Sequence, residues 1–208
     1  MSANEVIHAG LNLGTTDPKT HEEAGSAIFG FWVFLMTDAV LFALLFANYG
    51  VLLSGTAGGP GPAAQFKLSS AFIETLLLLT SSFTFGMASL AMKHGSQPRL
   101  LQVWLLTTLL LGAGFLGMEL HDFATMLSGG ATPSRSGFLS AFFALVSTHG
   151  LHVFAGCIWI VVMMVQIAVF GTDARVKINV LRLGLFWHFL DIIWVAIFSV
   201  VYLQGLIR

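Results

Sequence analysis

The chain has 208 residues, of which 56% are hydrophobic and 9% are charged, and its formal net charge is −1. A soluble domain carries about 25% charged residues, so this composition excludes a water-soluble enzyme, a secreted disulfide scaffold and a disordered chain. No basic excess is present for nucleic acid, and the single Cys157 supplies neither an internal disulfide nor paired thiolates for a metal.

Five segments are long and apolar enough to cross a membrane, since a helical span needs about 20 mostly apolar residues. In chain order they are residues 28–53, 68–92, 100–127, 137–170 and 180–207. The alternating segments of a membrane β-barrel do not occur. The sequence predicts an all-α integral membrane bundle of five transmembrane helices, with a polar tail (residues 1–27) before a transmembrane domain (residues 28–208).

Lys and Arg residues set the expected orientation, because they are enriched on the cytoplasmic side of membrane proteins. Six of the nine lie in the N-terminal tail, the second and fourth connections, or just inside the fifth span: Lys19, Lys93, Arg99, Arg175, Lys177 and Arg182. Three lie on the opposite side: Lys67, Arg135 and Arg208. We therefore expect a cytoplasmic N-terminus and a C-terminus outside.

Ionisable side chains occur in all five spans, where they are costly and tend to face the bundle or serve a function. In chain order they include Asp38, then Glu74, then Glu119 and Asp122, then His149 and His152, and finally His188 and Asp191. Spacings of three and four residues place them on faces with small or hydroxyl side chains. We expect an inward polar seam whose role is packing, lipid binding or proton movement.

The histidines of the fourth and fifth spans are the candidates for haem or metal ligands. His149 and His152 are three residues apart on one helix, so they cannot take opposite axial positions of one haem. A metal site would need a further ligand from another helix, such as His188. Polar packing is the favoured interpretation, and no cofactor is expected in this chain.

One apparent nucleotide motif is present in the third span. Gly112, Gly114 and Gly117 have the G-x-G-x-x-G spacing of a dinucleotide site. That motif requires a preceding strand and a helix that starts within it. Here it lies in the middle of a predicted membrane helix, where glycines indicate close helix contacts instead.

Several motifs together resemble those of one family, subunit III of the haem–copper terminal oxidases. They cover all five spans in the same order. Five spans rather than seven make the chain most similar to the subunit III of bacterial cytochrome o ubiquinol oxidase. The motifs are FGFWVFLMTDAVLFALLF at 29–46, FIETLLLLTSS at 72–82, GAGFLGMEL at 112–120, STHGLHVFAG at 147–156 and WHFLDIIW at 187–194.

This resemblance implies an accessory, non-catalytic subunit of a respiratory, proton-pumping enzyme that oxidises ubiquinol and reduces oxygen to water. Haem b, haem o, copper and ubiquinone then belong elsewhere in the complex. The implied partners are subunit I chiefly, subunits II and IV, and phospholipids, in the inner membrane of a bacterium. Glu74 matches the family glutamate that reacts with carbodiimides.

Two alternatives remain open at this point. Some bacterial cytochrome c oxidases have a similarly short subunit III, so the electron donor is ubiquinol or cytochrome c. A small proton-coupled transporter, with Glu74, Glu119 and Asp122 as its relay, is the alternative from another class. The odd number of spans and the lack of internal symmetry disfavour a transporter.

Overall fold

The computed structural model describes residues 18–57, 68–93 and 98–207, which contain five long helices. A 3-10 turn, Pro133–Arg135, precedes the fourth helix, and the fifth continues through a π-helical segment, Phe198–Leu203, into a final turn. All five are long and apolar enough to span a membrane, which confirms the predicted all-α bundle. The helices are α1 (Pro18–Leu52), α2 (Leu68–Lys93), α3 (Pro98–Ser128), α4 (Gly137–Phe170), α5 (Ala174–Ile197) and the short α6 (Gln204–Ile207).

Two helices begin earlier than the hydropathy pattern predicts. α1 starts at Pro18 instead of residue 28, and α5 starts at Ala174 instead of residue 180. Both added segments carry several polar side chains, so the hydropathy pattern alone does not assign these first turns to the helices. Three parts of the sequence prediction lie outside the described residues: residues 1–17 of the tail, Lys67 and Arg208.

α1 packs against α4 and α5 through side chains that recur every seven residues. Leu35, Phe42 and Tyr49 are its buried large side chains. The Tyr49 ring lies 6.0 Å from that of Phe138, and the Phe42 ring lies 6.3 Å from that of His149. These pairs run in opposite chain directions, so α1 and α4 are antiparallel. A seven-residue repeat is typical of long helices that wind around one another.

Two indole N–H groups join α5 to α2. Nε1 of Trp187 donates to Oγ of Ser81, and Nε1 of Trp194 donates to Oγ1 of Thr75, both at 3.0 Å. Each hydroxyl donates its own proton to a carbonyl oxygen on α2, so its oxygen is available to accept the indole N–H. Because hydrocarbon offers no alternative partner, these bonds fix the antiparallel register of the two helices.

The Trp187 side chain fills a space that two glycines leave open. A Cβ atom on Gly112 of α3 would lie 2.8 Å from Cη2 of Trp187, and one on Gly156 of α4 would lie 3.0 Å from its Cζ3. The indole therefore contacts α3 and α4 and is hydrogen-bonded to α2 through Ser81. Gly112, the first glycine of the apparent nucleotide motif, is a packing position.

We predict that Gly112→Ala destabilises the bundle whereas Gly117→Ala does not. The new methyl at residue 112 would overlap the buried indole, and overpacking of this kind costs about 1–3 kcal/mol. A Cβ on Gly117 meets nothing within 4 Å. The measurement is the temperature at which a bulky maleimide labels the buried Cys157 in membranes, read as a mass shift of this chain. Equal labelling temperatures for the two variants would contradict the packing role of Gly112.

Candidate functional site

Three acidic side chains of α2 and α3 form an acidic cluster, which consists of Glu74, Glu119 and Asp122. Glu74 and Glu119 are buried, and Asp122 is half-buried. Glu74 lies within electrostatic range of both other carboxyl groups. The hydroxyl of Tyr202, in the π-helical segment, lies within range of all three. The structure thus brings together the acidic residues that the sequence places in the second and third spans.

The carboxyl group of Glu119 occupies a space beside Gly150 of α4. A Cβ atom on Gly150 would lie only 2.6 Å from Oε1 of Glu119. Neither carboxyl oxygen of Glu119 has a hydrogen-bond partner among the described residues, and the same holds for Oε1 of Glu74. In the part of the chain whose side chains the structure describes, from residue 24 onward, no Lys or Arg nitrogen lies within 4 Å of a carboxyl oxygen. The cluster is therefore buried without a neighbouring cation in that part of the chain.

The two histidines of α4 are held in different ways. His149 is fully buried, and its ring lies 5.3–6.3 Å from those of Phe42, Phe115 and Trp194. His152 has its Nδ1 2.7 Å from the backbone carbonyl oxygen four residues earlier. A carbonyl only accepts, so this nitrogen carries the proton and donates. Among the side chains that the structure describes (residues 24–57, 68–93 and 98–205), no group of three or more His, Cys, Asp or Glu is placed to hold a metal ion.

Asp38 belongs to α1, away from the helices that carry the acidic cluster, and is half-buried. The Phe31 ring lies 5.7 Å from that of Trp159, and the Phe42 ring lies 5.3 Å from that of His152. This antiparallel register places Asp38 at a level between His152 and Trp159 of α4. The structure therefore associates Asp38 with the α1–α4 contact.

His188 and Asp191 lie one turn apart on α5, beside Ser82 of α2. Oγ of Ser82 is 2.6 Å from Nδ1 of His188, and Oδ2 of Asp191 is 3.8 Å from the same nitrogen. The second distance is too long for a hydrogen bond, so His188 and Asp191 are neighbours without a direct bond. Asp191 is buried, whereas the His188 side chain is 45% exposed. The group thus extends from the core to the edge of the bundle.

Comparison with known proteins gives matches along almost the whole chain. Residues 12–206 match the family described as cytochrome c oxidase subunit III. The chain belongs to this family. It is 47% identical over 202 residues to the cytochrome bo(3) ubiquinol oxidase subunit 3 of Pseudomonas aeruginosa, which covers 97% of this chain and 96% of the relative.

Two further relatives show how the family divides by name. The cytochrome bo(3) ubiquinol oxidase subunit 3 of Pseudomonas putida is 50% identical over 187 residues, 90% of each chain. The cytochrome c oxidase subunit 3 of a Bacillus species, strain PS3, is 42% identical over 207 residues, 100% of each chain. The resemblance found in the sequence motifs is confirmed.

Three residues around the acidic cluster of this subunit III family member were not predicted from the sequence. Tyr202 and Tyr49 lie within electrostatic range of each other, and Tyr49 is buried. A tyrosine near the end of a span ordinarily indicates an anchor at the membrane surface. The chain has 19 Phe and only two Tyr, and the rarity of Tyr was the one sequence feature that could have marked these two hydroxyl groups as special. The role of Gly150, which leaves room for Glu119, could not be predicted because the sequence does not show which helix faces it.

We predict that Asp191→Leu impairs accumulation of this chain in membranes more than Asp191→Asn does. Asn keeps the shape of Asp and a polar oxygen beside the Ser82–His188 pair, whereas the branched apolar Leu fits this buried site poorly, at a cost of about 1–3 kcal/mol. The measurements are the chain content of membranes and the labelling temperature of Cys157. Ile158→Leu, at an exposed position on α4, is the control. Equal values for the Asn and Leu variants would contradict this role.

Proposed function

We propose that this chain is the accessory subunit III of a proton-pumping respiratory ubiquinol oxidase, which couples quinol oxidation to the reduction of oxygen to water. The observation that carries the proposal is 47% identity to a protein named cytochrome bo(3) ubiquinol oxidase subunit 3 along 96% of that protein. Relatives named cytochrome c oxidase subunit 3 are 42% identical, which favours quinol over cytochrome c as the donor. Membership of the family disfavours the transporter alternative.

Within that complex the chain stabilises subunit I and binds phospholipids, with subunits II and IV as further partners, and it carries no redox centre. Haem b, haem o, copper and ubiquinone are assigned to the rest of the complex. The packing of the α4 histidines supports this assignment. The His149 ring is enclosed by aromatic side chains, and Nδ1 of His152 is bound to the backbone of its own helix.

The proposed location is the inner membrane of a bacterium, with a cytoplasmic N-terminus and the C-terminus outside. The positions of the described cations support this orientation. Arg135 lies at one end of the bundle, just before α4. The cations near the opposite end are Lys93 at the end of α2, Arg99 at the start of α3, and Arg175, Lys177 and Arg182 in the first turns of α5.

We predict that an affinity-tagged chain, purified from bacterial membranes in a mild detergent, co-purifies with a larger haem-bearing subunit. The complex should consume oxygen faster with ubiquinol than with reduced cytochrome c. The chain produced without its partners should show no Soret band and no stoichiometric iron or copper. A haem spectrum of the chain alone that is lost in His149→Ala or His152→Ala would contradict the accessory role.

Glu74 is proposed to be protonated and dispensable for oxygen chemistry. It is 2% exposed and lies near two other carboxyl groups, and no described cation contacts it. A negative charge in such a place is disfavoured in a membrane interior. The neutral carboxyl is the form that a hydrophobic carbodiimide attacks, in keeping with the family resemblance of the segment around Glu74.

We predict that Glu74→Gln assembles and has a near wild-type initial rate of oxygen consumption but loses carbodiimide labelling of this chain. Gln keeps the shape and hydrogen-bonding capacity and removes the titratable proton. Asp38→Asn, on α1, is the control that should retain labelling. The measurements are labelling, initial oxygen consumption and proton ejection in vesicles. An assembled Glu74→Gln complex without turnover would instead place Glu74 in an obligatory proton path.

A further inference from the structure

An exposed imidazole lies at the middle of the membrane-spanning part of α5. His188 is midway along the candidate span Ala174–Leu203, and its side chain is 45% exposed. Hydrocarbon at that depth can neither donate nor accept a hydrogen bond. Polar side chains at this depth therefore face protein or a water-filled space rather than lipid.

The contacts of His188 leave one ring nitrogen directed to a partner outside this chain. Nδ1 is engaged by Oγ of Ser82 at 2.6 Å and lies 3.8 Å from Oδ2 of Asp191. Nε2 has no partner among the described residues. Because Ser82 fixes the ring from one side, Nε2 is held in a defined position at the surface, where it can form a hydrogen bond across helices.

The surface around His188 has the shape and composition of a helix contact. Gly86 is exposed one turn after Ser82, and a Cβ atom there would meet nothing within 4 Å. Small residues four positions apart allow another helix to approach closely. Exposed apolar side chains surround this site on both helices. The α2–α5 face consists of Leu79, Ser82 and Gly86 of α2 and His188, Ile192 and Val195 of α5.

We propose that the α2–α5 face docks against a transmembrane helix of the large oxidase subunit, which presents a hydrogen-bonding side chain to Nε2 of His188 at mid-membrane depth. The proposal rests on the proposed function, since that function supplies a membrane-embedded partner. On this face the polar His188 is flanked by apolar side chains. A complementary partner helix therefore carries one polar side chain among apolar ones. A lipid acyl chain would leave Nε2 unpaired.

Photo-crosslinking in the assembled complex tests which face meets the large subunit. A benzophenone amino acid replaces Ile192 in one variant and Leu151 of α4 in the other, which are 68% and 66% exposed and both lie near the middle of their spans. We expect an adduct with the large subunit from position 192 and none from position 151. Absence of that adduct at position 192, equal adducts from both positions, or a product of two copies of this chain would overturn the proposal.

Substitution of His188 tests the hydrogen bond itself. His188→Leu should reduce the fraction of this chain that stays with the large subunit during detergent purification by about threefold, the average effect of one such bond in membranes. His188→Gln should recover part of the retention, and Leu151→Ala should leave it unchanged. An unaltered labelling temperature of Cys157 shows that the chain itself is folded. Equal retention in His188→Leu and wild type would overturn the proposal.

The two proposals fail in different ways. If the wild-type chain does not co-purify with any haem-bearing subunit, the proposed function is wrong. If it co-purifies but forms adducts with the large subunit from Leu151 and not from Ile192, the function stands and the α2–α5 face is not the docking surface.

Discussion

The indole of Trp187 holds four helices together and fixes their spacing. Its ring lies against Gly112 of α3 and Gly156 of α4, while its N–H is bound to Ser81 of α2. Lipid tails are as apolar as the helix surfaces, so burial of apolar side chains does not drive helices together in a membrane. Close fit and hydrogen bonds between helices must do so, and this one side chain supplies both.

The acidic cluster is placed by a second contact of the same kind. Trp194 donates to Thr75, the residue after Glu74, and its ring meets that of Phe115 at 4.6 Å. Phe115 lies one turn before Glu119 on α3. Aromatic packing thus sets the levels of α2 and α3 at which the two carboxyl groups come together. The positions of the two carboxyl groups are therefore set by contacts of neighbouring residues, since the carboxyl groups themselves take no part in them.

Spacing along one helix predicted the inner face of α3 because that helix buries a single stripe. Thr108, Gly112, Phe115 and Glu119 are all buried, as the spacing of three and four residues indicates, whereas Asp122, the next position of that spacing, is half-buried. The same spacing on α5 does not reveal that His188 lies at an edge, since α5 has neighbours on several sides. Hydropathy predicted the spans. The order in which the helices pack side by side depends on contacts between different helices, and the sequence of one helix alone does not determine them.

The π-helical segment at Phe198–Leu203 lies between α5 and the short α6, and it interrupts what would otherwise be one continuous α-helix. Its hydrogen bonds reach one residue further than those of an α-helix, so its turn accommodates an additional residue. This wider turn sets the direction in which Tyr202 leaves the helix, and the Tyr202 ring lies 6.2 Å from that of Trp194. A single extra residue in one turn thus brings the Tyr202 ring between Trp194 and Phe142, beside the acidic cluster.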